Sequence, residues 1–363
     1  MWIYWILFIV PAYFAITRLK LADHKTLPMK VNRWPVIWQI MFLLLVLIIG
    51  LRHEVGADWF NYIEHIGIHA DATLEEKIRG KDLAYVLFNE LALQTGFGVY
   101  LVNLLSASFF AWGLIVFCRE QPRPWLSMVV AVPYLITAVA MGYTRQGGAI
   151  GVAMLAMVAL GQGHILRFVL WIALAAIFHK SAVILVPLAI IANSKSRILT
   201  FLWVLISGGI LFYLLLQEAV DYFILAYIEQ EYQSAGALIR ITMNALPGAI
   251  FIMFRKSFKL TAEEGAFWTW MAWVALLFIV LLKISPSSAA VDRIALYWIP
   301  LQLFVLSRLP NALGQAQGKN ALWVFIIILY SATVHFVWLF FADTAFAWLP
   351  YQFYPWLWFI KLF

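Results

Sequence analysis

PVIWQIMFLLLVLIIGLRHEVGADWFNYIEH, residues 35–65, begins as an unbroken apolar run and turns abruptly polar after Leu51. A helix over 35–51 reaches across most of a hydrocarbon core of roughly 30 Å. Beyond it, Arg52, His53, Glu54, Asp58, Glu64 and His65 arrive within a few turns, interleaved with Trp59, Phe60 and Tyr62. A water-facing globule has no use for the first half, and a lipid-facing helix has none for the second. The junction therefore marks a membrane helix meeting a surface.

The rest of the chain repeats the first half of that pattern. Of 363 residues, 64% are hydrophobic and 12% charged, at a mean hydropathy of +0.89, more apolar side chain than a soluble domain can hide. The expected fold class is all-α: a polytopic integral membrane protein of about 12 transmembrane or half-membrane helices around an outward-facing polar cavity. Long continuous runs, not ten-residue alternation, set it apart from a transmembrane barrel. Spans are expected near 1–17, 35–51, 98–118, 125–142, 147–162, 167–179, 180–192, 198–216, 241–255, 265–283, 291–307 and 320–341. Residues 1–363 form one transmembrane domain, with outer-face loops 52–97 and 217–240 and a C-terminal segment 342–363. The run Trp2–Ile16 lacks a basic segment before it and reads as a retained first helix. Cys118, the single cysteine, has no partner for an internal disulfide.

With the N-terminus outside, fifteen of the 25 Lys and Arg residues fall in inner loops with only four of the 18 acids, as the positive-inside rule asks. Orientation thus accounts for the net charge of +7, and no basic stripe or aromatic reader motif points to nucleic acid. Two hairpins are tight: Gly142-Tyr-Thr-Arg-Gln-Gly-Gly148, and Phe178-His-Lys-Ser181 between segments too short to span alone. Such segments suggest broken helices beside a cavity. Residues 82–95 read as an interfacial helix with Leu83, Ala84, Leu87, Phe88 and Leu91 on its apolar side and Asp82 and Asn89 opposite. The aromatic tail FAWLPYQFYPWLWF reads as a segment at headgroup level, and Gly147 and Gly151 as a close helix contact.

This threading puts Arg52, Arg145, His179, Lys180, Arg240, Lys283 and Arg293 at outer helix ends. A lysine there commonly snorkels to headgroups. A guanidinium instead offers a rigid fork matched to phosphate oxygens and stays charged, so several arginines around one cavity suit a lipid-linked pyrophosphate. Asp292 offers a purely structural alternative, a salt bridge with its neighbour Arg293 or with another helix. His53, His65 and His69 show no metal-site spacing, so no metal and no cofactor is expected, and arginines would stabilise transition-state charge directly. A sugar hydroxyl attacking an anomeric carbon needs a proton acceptor, and Asp58 and His179 are the candidates. Their structural alternatives are a helix cap or an Arg52 salt bridge for Asp58, and a turn-closing hydrogen bond for His179.

The residues R-x-x-x-G-x-D-x-x-x-Y at Arg52, Gly56, Asp58 and Tyr62 resemble the first motif of the EpsG-like group of Wzy-type polysaccharide polymerases. Further landmarks similar to that group follow in order: R-Q at Arg145-Gln146, F-H-x-S at Phe178-His179-Ser181, G-x-x-x-R at Gly236-Arg240, R-x-x-x-Y at Arg293-Tyr297, and P-Y at Pro350-Tyr351. Lys180 departs from the pattern as a charged residue inside F-H-K-S. The resemblance implies a bacterial inner-membrane polymerase of O-antigen or exopolysaccharide, with its active site facing the periplasm or exterior. It would move a growing chain from polyprenyl pyrophosphate to the non-reducing end of the next lipid-linked repeat unit, without metal and with inversion. Arg52, Arg145, Arg240 and Arg293 would bind pyrophosphate, and Tyr62, Gln146, Tyr297 and Tyr351 would contact substrate. Expected partners are the lipid-linked donor and acceptor, membrane lipids and a chain-length regulator. A membrane acyltransferase, a flippase of lipid-linked oligosaccharide and a polysaccharide ligase are the competing readings.

Overall fold

The computed structural model describes residues 1–19, 34–78, 82–188, 206, 233–315 and 319–360. Helix α1 (Trp2–Thr17) and α2 (Val36–Gly50) precede a two-residue strand β1 (Arg52–His53), then α3 (Trp59–Asp71), α4 (Leu74–Ile78), α5 (Leu83–Thr95) and α6 (Val99–Arg119). Helix α7 (Pro124–Ala131) runs directly into a π-helix, Val132–Ala140, followed by α8 (Thr144–Gly161), α9 (Ile165–Phe178) and a 3₁₀ turn, Lys180–Leu185. The second half holds α10 (Ala237–Phe254), α11 (Ala262–Ile284), α12 (Ser288–Ala295), α13 (Ile299–Leu313), α14 (Ala321–Phe341), strand β2 (Gln352–Phe353) and α15 (Tyr354–Ile360). β1 and β2 pair antiparallel, Arg52 opposite Phe353 and His53 opposite Gln352.

Among the described residues, five helical stretches are long and apolar enough to cross a membrane: Val99–Arg119, Ala237–Phe258, Ala262–Ile284, Ser288–Leu313 and Ala321–Phe341. Shorter apolar helices, Trp2–Thr17, Val36–Gly50, Pro124–Ala140 and Ile165–Phe178, accompany them. Helix α8 is buried almost from end to end, and the stretch Ser288–Leu313 is the most buried of the five. These two form the centre of a multi-pass bundle. Around them, Met253, Ile284, Leu322 and Phe341 are exposed large apolar residues on α10, α11 and α14, as expected where lipid is the solvent.

Glycine sets how closely the central helices approach. A Cβ on Gly113 of α6 would run into the carbonyl of Gly151 on α8, and one on Gly151 would strike the backbone of Phe110. The expected Gly147/Gly151 pair thus serves two neighbours, because Gly147 packs against Ala140 of the π-helix instead.

Four expectations need amending. The span near 125–142 is not a uniform α-helix: Pro133, which has no N–H to donate, sits near the start of the nine-residue π-helix. Its widened turns leave the Thr137 carbonyl for the Trp348 indole N–H, at 2.8 Å. The segment near 180–192 enters as a 3₁₀ turn after the break at His179, and 189–192 lie outside the described residues. Apart from Ile206 the span 198–216 also lies outside them.

Helix α5 splits the apolar side expected of an interfacial helix. It buries Ala84, Tyr85, Phe88, Asn89 and Ala92, while Leu83, Leu87 and Leu91 are exposed. The tail is likewise only partly a surface segment. Trp348 is buried in the bundle, its carbonyl accepts from the Tyr4 hydroxyl at 2.6 Å, and the Tyr351 hydroxyl donates to the Ile48 carbonyl at 2.7 Å. Phe346 and Trp356 remain exposed.

The glycine contact yields a direct test. Gly113→Ala and Gly151→Ala should each lower the melting temperature of the detergent-solubilised protein, by about 1–3 kcal/mol of stability for an overpacked contact. Gly161→Ala, on the same helix α8 with open space around it, should leave it unchanged.

Candidate functional site

The bundle has two polar ends of different character. At one, the α6–α7 turn, the N-terminus of α11 and the C-terminus of α13 are laced together. Arg123 donates from Nε to Asn311 Oδ1 at 3.0 Å and to the Leu19 carbonyl at 2.9 Å. Arg308 pairs with Glu264 at 2.9 Å and donates to Gln121 at 3.0 Å. These arginines join helix ends. At the other end lie all the residues singled out from the sequence.

Arg52 is the structural pivot of that second end. It is 1% exposed, and its guanidinium donates to the carbonyls of Val55 (3.0 Å) and Ile49, to Asn103 Oδ1 (3.2 Å) and to Thr144 Oγ1 (2.7 Å). The Trp59 ring lies beneath it, 5.8 Å from the guanidinium carbon. Arg52 thus ties the end of α2 to α6, to the start of α8 and to the turn leading into α3. Gly56 completes this turn. Its φ of +105° lies where side chains are rarely accepted, and a Cβ there would meet the Met141 carbonyl. Its N–H donates to the Ala347 carbonyl at 2.8 Å.

The turn delivers Asp58 to the N-cap position of α3, but its side chain makes no capping hydrogen bond, and Arg52 is turned toward Asn103 and Thr144 instead. Neither structural alternative for Asp58 accounts for the carboxylate. It sits within electrostatic reach of Arg293, Arg145 and His65. Burial is the largest influence and raises its pKa above the ordinary carboxylate value, while Arg293 and Arg145 pull it back. Tyr62, one turn further along α3, is buried and shares this neighbourhood with Asp58, Arg145, Arg52 and Arg293.

Three further arginines arrive from three helices. Arg145, on the first turn of α8, pairs with Asp82 at 3.1 Å and lies over the Tyr85 ring at 5.1 Å. Arg293, on α12, stacks on the Tyr143 ring with its guanidinium carbon 3.9 Å from the centroid. Arg240, on α10, holds Asp292 through Nε at 3.0 and 3.1 Å and a second nitrogen at 2.7 Å, and also donates to Ser234 Oγ at 2.6 Å. Gly236 explains the G-x-x-x-R spacing: its φ is +74°, and a Cβ there would stand 3.1 Å from the Arg240 guanidinium. Tyr143 lies within electrostatic reach of Arg293, Arg240, Asp58 and Asp292. Arg293 therefore neighbours both the Asp58 carboxylate and the Tyr143 ring, with Arg145 near the first and Arg240 near the second, and together they make one polar patch.

The other singled-out residues brace this patch. Gln146 Nε2 donates to the Arg293 carbonyl at 2.7 Å. His179 ends α9, with Nδ1 2.6 Å from Ser181 Oγ, and Ser181 donates to the Tyr297 hydroxyl at 3.1 Å. Gln146 and Tyr297 are buried. Lys180 takes part through its backbone N–H, which donates to Asp82 at 3.3 Å, and Lys283 is exposed. A cavity of about 560 Å³ opens beside the patch between β1, α3 and the α5–α6 turn.

Sequence reasoning missed Asp82 as the partner of Arg145 and left Asp292 between its neighbour Arg293 and another helix; the structure has the second. Asp292 adjoins Arg293 in the chain, yet successive helical residues diverge by about 100°, and its carboxylate faces Arg240 on another helix. A carboxylate placed directly before an amphipathic helix, as Asp82 is, was the available signal for the missed partner.

Neither a curated protein nor a solved structure matches the chain. A family model described as the EpsG family matches residues 36–353, from the start of α2 to the end of β2. That match takes in every landmark from Arg52 to Tyr351, and the chain belongs to the EpsG family.

Proposed function

We propose that this protein is a polymerase of a surface polysaccharide that transfers a chain from polyprenyl pyrophosphate to a lipid-linked repeat unit, with the arginine patch facing away from the cytoplasm. EpsG membership suggests a polysaccharide polymerase in general. The observation carrying the finer reading is that Arg145 and Arg293 neighbour Asp58 while Arg293 and Arg240 neighbour Tyr143. Ion pairing alone would not carry it, since Arg308 and Glu264 at the opposite end are also paired.

In the proposed step Asp58 takes the proton from the acceptor hydroxyl as its oxygen bonds to the anomeric carbon. The bond from that carbon to the pyrophosphate oxygen breaks with its electron pair, and polyprenyl pyrophosphate leaves. Arg145, Arg240 and Arg293 offset the charge gathering on the leaving group. Asp82 and Asp292 hold two of these forks in position beforehand. His179, with one ring nitrogen turned to Ser181, is the second candidate for proton acceptor. Arg52 enters as a strut, and Gln146, Tyr297 and Tyr351 as braces of the patch. The direct test incubates purified protein with a lipid-linked repeat unit and a chelator. A ladder of extended chains is expected, whereas an acyltransferase or a flippase would leave single units.

Arg145→Ala and Arg240→Ala should each abolish long chains while the protein remains inserted and abundant, and lysine at either position should also be damaging, because an ammonium lacks the fork. Wild-type chain lengths in either lysine variant would count against the phosphate role. Arg52→Leu should instead lower the amount of folded protein recovered in detergent, since it takes the donor from the Ile49 and Val55 carbonyls and leaves Asn103 and Thr144 only each other; abundant but inactive protein would return Arg52 to the clamp.

The pH dependence follows from the raised pKa of Asp58. Only the ionised carboxylate accepts a proton, so polymerisation should decline on acidification at a pH above the ordinary carboxylate range. Asp58→Asn should lower the rate by about 10²–10⁴-fold. If His179→Ala removes the acid limb while Asp58→Asn keeps it, the base is His179.

A further inference from the structure

The cavity beside the arginine patch is not explained by pyrophosphate chemistry, because the clamp arginines are not among its lining residues. Its walls include His53, Glu54, Trp59, Phe97, Tyr100 and Tyr354. Tyr100 and Tyr354 stack with centroids 3.8 Å apart, and the Tyr100 hydroxyl lies 2.5 Å from His53 Nδ1. This wall joins the α6 N-terminus to the C-terminal strap.

Two features of this wall are unusual. Trp59 is 1% exposed, and its indole N–H is buried with no hydrogen-bond partner among the described residues. An orphaned buried donor of this kind costs about 1–3 kcal/mol. Glu54 has a φ of +52°, a left-handed conformation that a glutamate seldom adopts. It brings a half-exposed carboxylate to the cavity, 3.7 Å from His53 Nε2.

Aromatic faces and a carboxylate acceptor in one cavity match a sugar. Its ring presents C–H faces that pack on aromatic rings and hydroxyls that both donate and accept. A volume of about 560 Å³ falls in the usual range for small-ligand sites, about 300–1,000 Å³. Acyl chains fit the composition poorly, since they would leave the Glu54 carboxylate unanswered. We propose that this cavity is a glycan subsite, binding sugar units of the repeat oligosaccharide through contacts separate from the pyrophosphate clamp. The proposal rests on the polymerase reading for the identity of the sugar, and its test is separable from that reading.

The probe is the repeat-unit oligosaccharide of the host's own surface polysaccharide, freed of lipid and pyrophosphate. Its binding to the full-length protein in detergent is followed by tryptophan fluorescence. Wild type and Arg240→Ala should bind alike, while Tyr354→Ala should bind about tenfold more weakly and Glu54→Gln several-fold more weakly. Glu54→Gln guards against misfolding of the tyrosine variant, because Glu54 is exposed and its packing is slight. Wild-type affinity in both variants would overturn the subsite. So would unchanged glycan affinity with loss of co-purifying phospholipid in Tyr354→Ala, which would reassign the cavity to a headgroup. Failure of wild type to build a ladder from lipid-linked units defeats the polymerase reading; a normal ladder with no variant effect on glycan binding defeats the subsite alone.

Discussion

A guanidinium buried at the boundary of a membrane bundle must find several acceptors, because an unpaired ion removed from water costs several kcal/mol. Arg52 meets that demand with two backbone carbonyls, an amide and a hydroxyl drawn from α2, α6, α8 and its own turn. Geometry follows from the requirement: the chain leaves α2 in a fixed direction, β1 pairs with β2, Gly56 folds back against Met141, and Asp58 comes to rest beside Arg145 and Arg293. The most buried cation of the patch is therefore the one least suited to touch substrate. Its rigidity holds the others in place.

The remaining arginines are organised differently. Each comes from a separate helix and is held in advance, Arg145 by Asp82, Arg240 by Asp292 and Ser234, Arg293 on the Tyr143 ring. A cluster of cations without such partners would repel itself apart, and one wholly neutralised would attract no phosphate. The arrangement lies between these limits, with four cationic side chains against three carboxylates when Arg52 and Asp58 are included.

Much of the fold was legible because lipid imposes long apolar runs, and most described helices begin and end within a few residues of the expected spans. What resisted reading has physical reasons. The π-helix over Val132–Ala140 depends on a partner for Thr137 more than two hundred residues away, the Trp348 indole. Helix α5 keeps Leu83, Leu87 and Leu91 exposed, as an interfacial helix does, while Ala84 and Phe88 turn into the bundle with Asn89, a division set by tertiary contacts. At the site, the arginines and Asp58 were legible as polar residues recurring at one side of an apolar bundle. Their pairing was not, since Arg145 with Asp82 and Arg240 with Asp292 are tertiary choices made across 63 and 52 positions.

The central claim is that guanidinium groups from separate helices grip one diphosphate. It is tested most directly by titrating polyprenyl pyrophosphate and polyprenyl monophosphate against wild type and an Arg145→Gln/Arg240→Gln double variant. The account predicts tighter binding of the diphosphate by wild type and no such preference in the double variant. Equal affinities in wild type, or a preference that survives the double substitution, would contradict it.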